Sequence, residues 1–359
     1  MIYLTMLVCF ISSILITPVV KKLAFKIGAT DKPNQRKVHQ KIMPRLGGLA
    51  IYISFVLGVF LFNPDAPFLY PNALKGLMVG SGIIVITGIL DDMFEISPKM
   101  KMFGQLLAAS VVIFWGGVQV EFINLPFSEG ILEFGFLSVP ITFLWIVGIT
   151  NAINLIDGLD GLAAGVSSIA LITISLMAIL FGNPFVVVIA AILLASTVGF
   201  LFYNFHPAKI FMGDTGALFL GFMISVLALL GFKNVALISF VIPIIILGVP
   251  ISDTFFAILR RIVNKKPLSA PDKSHLHHCL LRLGFTHRQT VLIIYAMAAF
   301  FGLAAVIISQ AKLIGSIALI ITLLIVIEII AEKIGLVGKN YHPLLKLVRG
   351  IRISAAKDR

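Results

Sequence analysis

Residues 77–92 read LMVGSGIIVITGILDD, an uncharged stretch that ends abruptly in Asp91 and Asp92. Together with the residues just before it, this stretch forms an apolar span over residues 73–90, and about 20 such residues cross the hydrocarbon core of a bilayer as a helix. The two aspartates mark the point at which that helix would re-enter water. The stretch therefore predicts a membrane-spanning helix that holds polar groups at one of its ends.

Ten further apolar stretches of similar length accompany this one. They cover residues 2–20, 46–62, 102–120, 134–153, 162–181, 185–203, 215–232, 235–259, 291–309 and 313–331. The composition agrees, because 59% of the 359 residues are hydrophobic, only 12% are charged, and the mean hydropathy is +1.07. A water-soluble protein of this length could not hide so much apolar surface. We therefore expect an all-α polytopic membrane protein with about eleven transmembrane helices.

The basic residues predict how these helices are oriented. If the N-terminus lies outside and the spans alternate, only Lys75, Lys233 and Lys312 of the 28 Lys and Arg residues fall on the outer side. Cytoplasmic loops of membrane proteins carry such an excess of positive charge. We therefore expect an outer N-terminus and a cytoplasmic C-terminus, in a multi-pass protein of the cytoplasmic (inner) membrane.

The net charge of +12 does not indicate a nucleic-acid partner, because the basic residues flank membrane spans. In that position they anchor helices beside anionic lipid, so the partner predicted by this charge is the lipid bilayer. Cys9 and Cys279 are too few and too far apart to indicate a disulfide framework or a four-cysteine metal site.

Five cytoplasmic segments contain compact polar signatures. They are residues 36–48, Asp91-Asp92, the run Asn151 to Gly161, the run Asn204 to Gly216, and His275-Leu276-His277-His278. All seven histidines also fall on the cytoplasmic side of the predicted topology. Because these segments share one face of the membrane, we expect them to converge on a single site.

Asp91 and Asp92 would sit at the negative end of their helix dipole and would repel each other, so a positive group should compensate them. A hard divalent cation such as Mg²⁺, with Mn²⁺ as a substitute, binds carboxylate oxygens and substrate phosphates together. The alternative is a solvated helix end that is balanced by Lys99 and Lys101. The aspartate pair alone leaves both interpretations open.

Three further aspartates each allow two interpretations. Asp157 and Asp160 share one face if their segment is helical, and the adjacent glycines let a ligand approach the backbone. Asp160 could instead cap a helix that begins near Leu162, and Asp214 could cap one that begins at Thr215. The two roles are compatible, because the free N–H groups at a helix start also attract phosphate.

The histidine segment invites a zinc interpretation, which its spacing does not support. We expect His275, His277 and His278 to form a cationic or hydrogen-bonding lid over an anionic substrate, with a solvated loop as the alternative. Asp253 lies inside the ninth span, where acids are costly and often functional. It could also bind backbone donors freed by Pro250, and we leave it outside the expected site.

These segments, in this order and at this spacing, resemble the polyprenyl-phosphate N-acetylhexosamine-1-phosphate transferase superfamily over nearly the whole chain. The resemblance implies that a polyprenyl phosphate attacks the sugar-linked phosphate of a UDP-N-acetyl sugar, releasing UMP, with Mg²⁺ required. It implies that Asp214 binds the metal, with Asn154 as a second ligand. Asp91 and Asp92 would handle the lipid phosphate, and Asp157 would be a further catalytic acid.

The resemblance also implies a nucleotide pocket and a lid. The residues that match the uridine pocket, where an aromatic ring stacks on uracil, are Gly158, Leu159, Asp160, Asn204 and Phe211. The histidine segment would close over the sugar diphosphate, and Lys99 and Lys101 would add positive charge near the phosphates. On this basis we expect a transmembrane catalytic domain with cytoplasmic active-site loops over residues 1–331, and a basic cytoplasmic tail over residues 332–359.

Two branches of the superfamily differ in the first cytoplasmic loop. The branch that uses UDP-MurNAc-pentapeptide carries Thr-Pro-Thr-Met-Gly-Gly, whereas this chain has Met43-Pro44-Arg45-Leu46-Gly47-Gly48. The runs 31–34 and 36–39 are typical of the undecaprenyl-phosphate GlcNAc-1-phosphate transferase branch, which initiates teichoic acid, O-antigen or related surface glycans. We therefore expect UDP-GlcNAc and undecaprenyl phosphate as substrates, with the muramoyl donor or another UDP-N-acetylhexosamine as the alternative. The resemblance also implies a homodimer.

The mechanism and one other function class stay open at this point. Direct displacement by the lipid phosphate, with Asp91 or Asp92 positioning it, competes with a covalent phosphoryl-aspartate intermediate. A secondary transporter would also need many helices, but it would place its acids near the bilayer midplane between repeated halves. Here the acids lie at one face. A CDP-alcohol phosphotransferase is disfavoured because Asp160-Gly161-Leu162 is not followed by that family's arginine and spaced aspartates.

Overall fold

A computed structural model describes residues 1–31, 42–65, 71–124, 131–232, 241–265, 267, 272, 274–336 and 343–344. These residues form thirteen α-helices: α1 Ile2–Ile27, α2 Gly48–Phe62, α3 Ala73–Phe94, α4 Pro98–Ser110, α5 Ser138–Ile156, α6 Leu162–Leu180, α7 Pro184–Asn204, α8 Gly213–Phe232, α9 Val241–Ile246, α10 Gly248–Val263, α11 Leu276–Arg282, α12 His287–Gln310 and α13 Leu313–Ile334. Two short antiparallel pairs lie in loops: β1 Thr30–Asp31 with β2 Met43–Pro44, and β3 Phe122–Asn124 with β4 Ile131–Glu133. The signature at residues 36–39 lies outside the described residues.

Eight helices of the described part are long and apolar enough to cross a membrane: α1, α3, α5 with the turn before it, α6, α7, α8, α12 and α13. The protein is thus an all-α, multi-pass membrane protein. In the most apolar stretch of α8, 89% of the residues are buried inside the bundle, whereas only 11% are buried in the corresponding stretch of α13. Helix α8 is therefore the central element around which the others pack.

Two predicted spans are not single α-helices. The span over 102–120 is built from α4, which begins after the capping Ser97, and from a π-helical turn at Val111–Trp115 that ends at Gly116. The span over 235–259 breaks at Leu247 between α9 and α10. Pro250 explains the restart, because it lies in the first turn of α10, where its missing N–H costs no helical hydrogen bond.

The end of the bundle also differs slightly from the expected boundary. Helix α13 runs to Ile334 rather than stopping at residue 331, so its last turn occupies the start of the expected tail. Glu332 in that turn is buried and accepts a hydrogen bond from the Leu344 N–H. Residues 337–342 and 345–359 of the tail lie outside the described residues.

Glycines let two helices, α2 and α3, come into direct contact with the backbone at the N-terminal end of α8. A Cβ atom added to Gly48 in α2 would come within 2.0 Å of the Gly216 nitrogen, and one added to Gly88 in α3 would come within 2.4 Å of the Thr215 Cα. Such contacts are a usual way for helices to pack in lipid, where no hydrophobic force draws them together. The crossing at Gly88 places the end of α3 directly beside the first turn of α8.

We predict that Gly88→Ala separates α3 from α8 and lowers the free energy of unfolding by about 1–3 kcal/mol, the usual cost of overpacking. Unfolding of the purified protein in detergent, followed by heat or by SDS titration, measures the change. Gly148→Ala is the matched control, since nothing lies within 4 Å of a Cβ there and alanine favours helix. Equal stability of the two variants would contradict the crossing.

Candidate active site

A cavity of about 610 Å³ opens where the predicted polar segments meet. Its walls come from the first loop, the end of α3, the loop after α5, the loop before α8, and the histidine segment. Ten of the expected site residues line it: Asp92, Asp157, Gly158, Leu159, Asp160, Asn204, Phe211, Asp214, His277 and His278. Five segments that are distant in sequence therefore share one site.

Asp92 caps helix α8 from another helix. Its carboxylate accepts hydrogen bonds from the Asp214 N–H at 3.0 Å, the Thr215 N–H at 3.0 Å and the Thr215 hydroxyl at 2.6 Å. The side chain is only 3% exposed. The expected cap by Asp214 is therefore not formed: Asp214 lies in the first turn of α8, and the side chain that accepts from the N–H groups of that turn is Asp92.

Arg45 supplies part of the positive charge that the aspartate pair requires. Its guanidinium donates to the backbone carbonyls of Asp91 at 3.0 Å and Asp92 at 3.3 Å, and its Nε lies 3.5 Å from the Asp92 carboxylate. It thereby neutralises the negative end of α3 as well as one of the acids. This role was not predicted from the sequence, although an arginine directly before Leu46-Gly47-Gly48 was the available signal.

Lys101 joins the other aspartate to the loop before α8. Its ammonium nitrogen lies 2.9 Å from a carboxylate oxygen of Asp91 and also pairs with the carboxylate of Asp214. The Asn154 side-chain N–H donates to the second oxygen of Asp214 at 3.1 Å. Lys99, which was expected to share this role, is exposed, because two positions along α4 turn it by about 200° from Lys101.

The donor set around Asp214 fits a hard divalent cation. It consists of oxygen ligands, namely the carboxylates of Asp91 and Asp214 and the amide oxygen that Asn154 presents if its side chain turns over. The ammonium of Lys101 already occupies a position between two of these carboxylates. That place therefore stabilises positive charge, which is the property that a metal site needs.

Asp157 ends α5 and faces the same group of acids. Burial and the neighbouring carboxylates, first that of Asp214 and then that of Asp92, raise the pKa of Asp157 to about 8. In the absence of a divalent cation, burial beside these carboxylates therefore favours the protonated form of Asp157. An added positive charge would favour its ionised form.

The loop between α5 and α6 is tied to the loop before α8. One carboxylate oxygen of Asp160 accepts the Ala208 N–H at 3.1 Å and lies 2.8 Å from His206 Nδ1. Asp160 does not cap α6, whose N-cap is Gly161 with a φ of +76° that favours glycine. Asn204 accepts the Gly161 N–H and donates to the Ile210 carbonyl, so both ends of its amide hold the pocket wall.

Asp160, His206 and His287 offer ligand atoms that all lie within 4.8 Å of one another. The two imidazole rings, however, stack face to face, with centroids 4.0 Å apart and planes 19° apart. The in-plane nitrogen lone pairs of the two rings therefore lie in nearly parallel planes, which is unfavourable for binding one ion between them. The arrangement fits a packed wall of the cavity better than a metal centre.

The histidine segment packs onto the loop after α5 through His277. His277 is buried against Gly158, where an added Cβ would lie 2.3 Å from its Nε2. Burial lowers the pKa of His277 to about 3 and also lowers that of His278. Of the two lids that were expected, the hydrogen-bonding one fits. His275 does not line the cavity and is turned towards Asp253.

We predict that the two adjacent aspartates respond differently to substitution. Asp92→Asn removes the charged cap of α8 and should lower the free energy of unfolding by about 1–2 kcal/mol. Asp91→Asn should change stability far less, because it also removes repulsion between two carboxylates across Lys101. Thermal unfolding of the variants in parallel measures both effects, and the reverse order of stabilities would contradict the cap.

We predict that Asp157→Asn stabilises the protein when no divalent cation is present, and that the gain depends on pH. The pKa of Asp157 is raised on folding from its ordinary value of 3.8 to about 8. Wild-type stability therefore falls as pH rises through this window, while the variant lacks the group. In EDTA, the difference between the unfolding temperatures of Asp157→Asn and wild type should grow from pH 5 to pH 8 and stay constant above pH 8. A difference that does not change with pH would show that the gain in stability is not electrostatic.

The geometry agrees with comparisons to known proteins. The family model described as Glycosyl transferase family 4 matches residues 74–232, which span α3 to α8 and contain Asp91, Asp92 and Asp214. A probable undecaprenyl-phosphate N-acetylglucosaminyl 1-phosphate transferase of Bacillus subtilis (strain 168) is 51% identical over 345 residues. That alignment covers 96% of this chain and 95% of the relative.

Two more distant relatives carry related names. The decaprenyl-phosphate N-acetylglucosaminephosphotransferase of Mycolicibacterium smegmatis is 35% identical, with 89% of this chain and 85% of the relative aligned. The undecaprenyl-phosphate alpha-N-acetylglucosaminyl 1-phosphate transferase of Escherichia coli (strain K12) is 29% identical, with 78% and 76% aligned. The chain therefore belongs to the polyprenyl-phosphate N-acetylhexosamine-1-phosphate transferase superfamily, in its undecaprenyl-phosphate GlcNAc-1-phosphate transferase branch, and is a polyprenyl-phosphate sugar-phosphate transferase.

Proposed function

We propose that this enzyme transfers N-acetylglucosamine-1-phosphate from UDP-GlcNAc to undecaprenyl phosphate, with Mg²⁺ as cofactor, and thereby initiates cell-surface glycan assembly. The observation that carries the proposal is the cluster that Asp91, Lys101 and Asn154 form with Asp214, the member of the cluster that lines the cavity. The cluster contains both oxygen ligands for a cation and a positively charged side chain. A reaction between two phosphates requires such positive charge to offset their repulsion. The names of the relatives support N-acetylglucosamine-1-phosphate as the transferred group and undecaprenyl phosphate as the acceptor.

The proposed reaction is a displacement at the sugar-linked phosphorus. An oxygen of the lipid phosphate forms the new P–O bond, the bond to the uridine-linked phosphate breaks, and UMP leaves with its electron pair. The second pKa of a phosphate monoester lies near ~6, so the lipid phosphate is largely dianionic at neutral pH and needs no strong base. The chain's main task is to bring anions together and align them.

Asp214 and Asn154, with Asp91, would hold the cation, which would neutralise phosphate charge and polarise the electrophilic phosphoryl group. Lys101 lies beside the same carboxylates and would bind a phosphate oxygen. Neutral His277 and His278 would donate hydrogen bonds to the sugar diphosphate. Leu159, Asp160 and Phe211 would form the uridine pocket, and Asn204 would hold its wall.

The positions of the two aspartates favour direct displacement over a covalent intermediate. The carboxylate of Asp92 is buried and accepts three hydrogen bonds, so its oxygens are poorly placed to act as a nucleophile. Asp91 remains as the residue that positions the lipid phosphate, through its contact with Lys101. In this scheme Asp157 completes the acidic wall of the cavity.

The proposal places the site on the cytoplasmic face, with eleven crossings, an outer N-terminus and a cytoplasmic C-terminal tail. Eight long helices supply most crossings, and the shorter apolar elements α2, α4 with its π-turn, and α9 with α10 would supply the rest. The distribution of Lys and Arg supports this orientation. The assembly would be a homodimer, as the resemblance implies.

We predict that purified protein releases UMP from UDP-GlcNAc only when polyprenyl phosphate and Mg²⁺ are both present. The assay compares UDP-GlcNAc, UDP-GalNAc and UDP-MurNAc-pentapeptide, with and without undecaprenyl phosphate, and in Mg²⁺, Mn²⁺ or EDTA. Preference for another donor would replace the proposed substrate. Full activity in EDTA would refute the cofactor.

Asp214→Asn is the matched variant for this assay. Asparagine keeps the size of the side chain and one of its oxygens, but it lacks the negative charge that would pair with Lys101 and with the metal ion. Turnover should therefore be lost while the protein stays folded. Asp65→Asn, at an exposed position that does not line the cavity, serves as the control. Wild-type turnover in Asp214→Asn would refute its role as a metal ligand.

A further inference from the structure

The first histidine of the histidine segment is bonded to an acid that no part of the proposed mechanism uses. Asp253, in α10, is 2% exposed. One of its carboxylate oxygens accepts from His275 Nδ1 at 2.9 Å, and the other accepts the Leu276 N–H at 2.8 Å. Asp253 therefore holds both the ring of His275 and the first turn of α11. It does not bind donors freed by Pro250, the structural role considered from the sequence.

Two turns further along α10, Arg260 holds the same connection at a second point. Seven residues make about two helical turns, so Arg260 projects from nearly the same face as Asp253. Its guanidinium pairs with Asp272 and also donates to the Leu336 carbonyl after α13. Asp272 in turn accepts the Ser274 N–H at 2.9 Å. Asp272 and His275, which precede α11, are thus both bonded to side chains on one face of α10.

This anchorage reaches the cavity through His277. The rings of His275 and His277 lie parallel, with planes 4° apart and centroids 6.1 Å apart. His277 in turn touches Gly158 and lines the cavity. The acid, the first histidine and the lid histidine therefore form one packed series that leads from inside α10 to the loop carrying Asp157 and Asp160.

We infer that Asp253 is a positioning residue of the transfer reaction, and that it acts through His275 to set the place of His277 against the Gly158 loop. His275 is on this account an anchor, whereas the family resemblance assigned it to the substrate. A misplacement of about 1 Å in such a group lowers turnover strongly without removing a substrate contact. The inference deepens the proposed function and rests on it.

The experiment separates the two nitrogens of His275. The amide nitrogen of asparagine can take the place of Nδ1, which faces Asp253, while that of glutamine can take the place of Nε2. His275→Asn should keep kcat within about threefold of wild type. His275→Gln and Asp253→Asn should lower kcat by about 10- to 100-fold, with a smaller change in KM for UDP-GlcNAc. UMP release from full-length protein in detergent gives both constants.

A double-mutant cycle tests whether the two residues act together. The double variant Asp253→Asn/His275→Gln should lose no more kcat than the less active of the two single variants, because both substitutions break the same interaction. Thr254→Val, the adjacent position on α10, is the control and should keep wild-type constants. Size-exclusion profiles and unfolding temperatures verify that each variant is folded.

Three results would overturn the inference: activity in His275→Gln but not in His275→Asn, additive losses in the cycle, or wild-type kcat in Asp253→Asn. If Asp253→Asn does not fold, the comparison of the two His275 variants decides alone. An error in the proposed donor can be distinguished from an error in this inference, because wild-type protein would then release no UMP from UDP-GlcNAc. The variants can in that case be compared using the donor that the wild-type protein does turn over.

Discussion

The carboxylate of Asp92 at the start of α8 is the interaction on which the rest of the site depends. A charged group so deeply buried is costly unless hydrogen bonds and opposite charge offset the loss of water. Here three donors of α8 and the nearby guanidinium of Arg45 provide that compensation. The bond forms only because Gly88 lets α3 lie against Thr215. The close packing of α3 against α8 therefore also determines where Asp92 lies in the site.

The remaining charges follow from this arrangement. While Asp92 is bonded to α8, Asp91 at the neighbouring position faces Lys101, which also pairs with Asp214. In the described part of the chain no cationic side chain is paired with Asp157, and burial beside the carboxylates of Asp214 and Asp92 raises its pKa. The site thus carries an excess of negative charge beside a 610 Å³ cavity, a condition that favours binding of a cation together with substrate phosphates.

The sequence allowed accurate prediction of features that depend on local pattern. Uninterrupted apolar stretches identified α3, α6 and α13 within a few residues, since a bilayer demands both length and composition. Breaks such as Leu247 were missed because the residues around them stay apolar, and only backbone geometry distinguishes one helix from two. The site segments were found by their acids and amides, whereas Arg45 and Asp253 were undervalued because their partners lie far away in sequence.

The same distinction explains why adjacent residues with one chemistry acquired different roles. Asp91 and Asp92 differ in sequence only by one position, which on a helix is a rotation of about 100°, and that rotation turns one towards Lys101 and the other towards α8. His275, which lies just before α11, and His277, in its first turn, also differ in direction, since His275 faces Asp253 of α10 and His277 faces the cavity. A motif therefore identifies which residues gather at the site, but the direction of each side chain, and with it the division between anchors and substrate contacts, is set by the helices that pack around them.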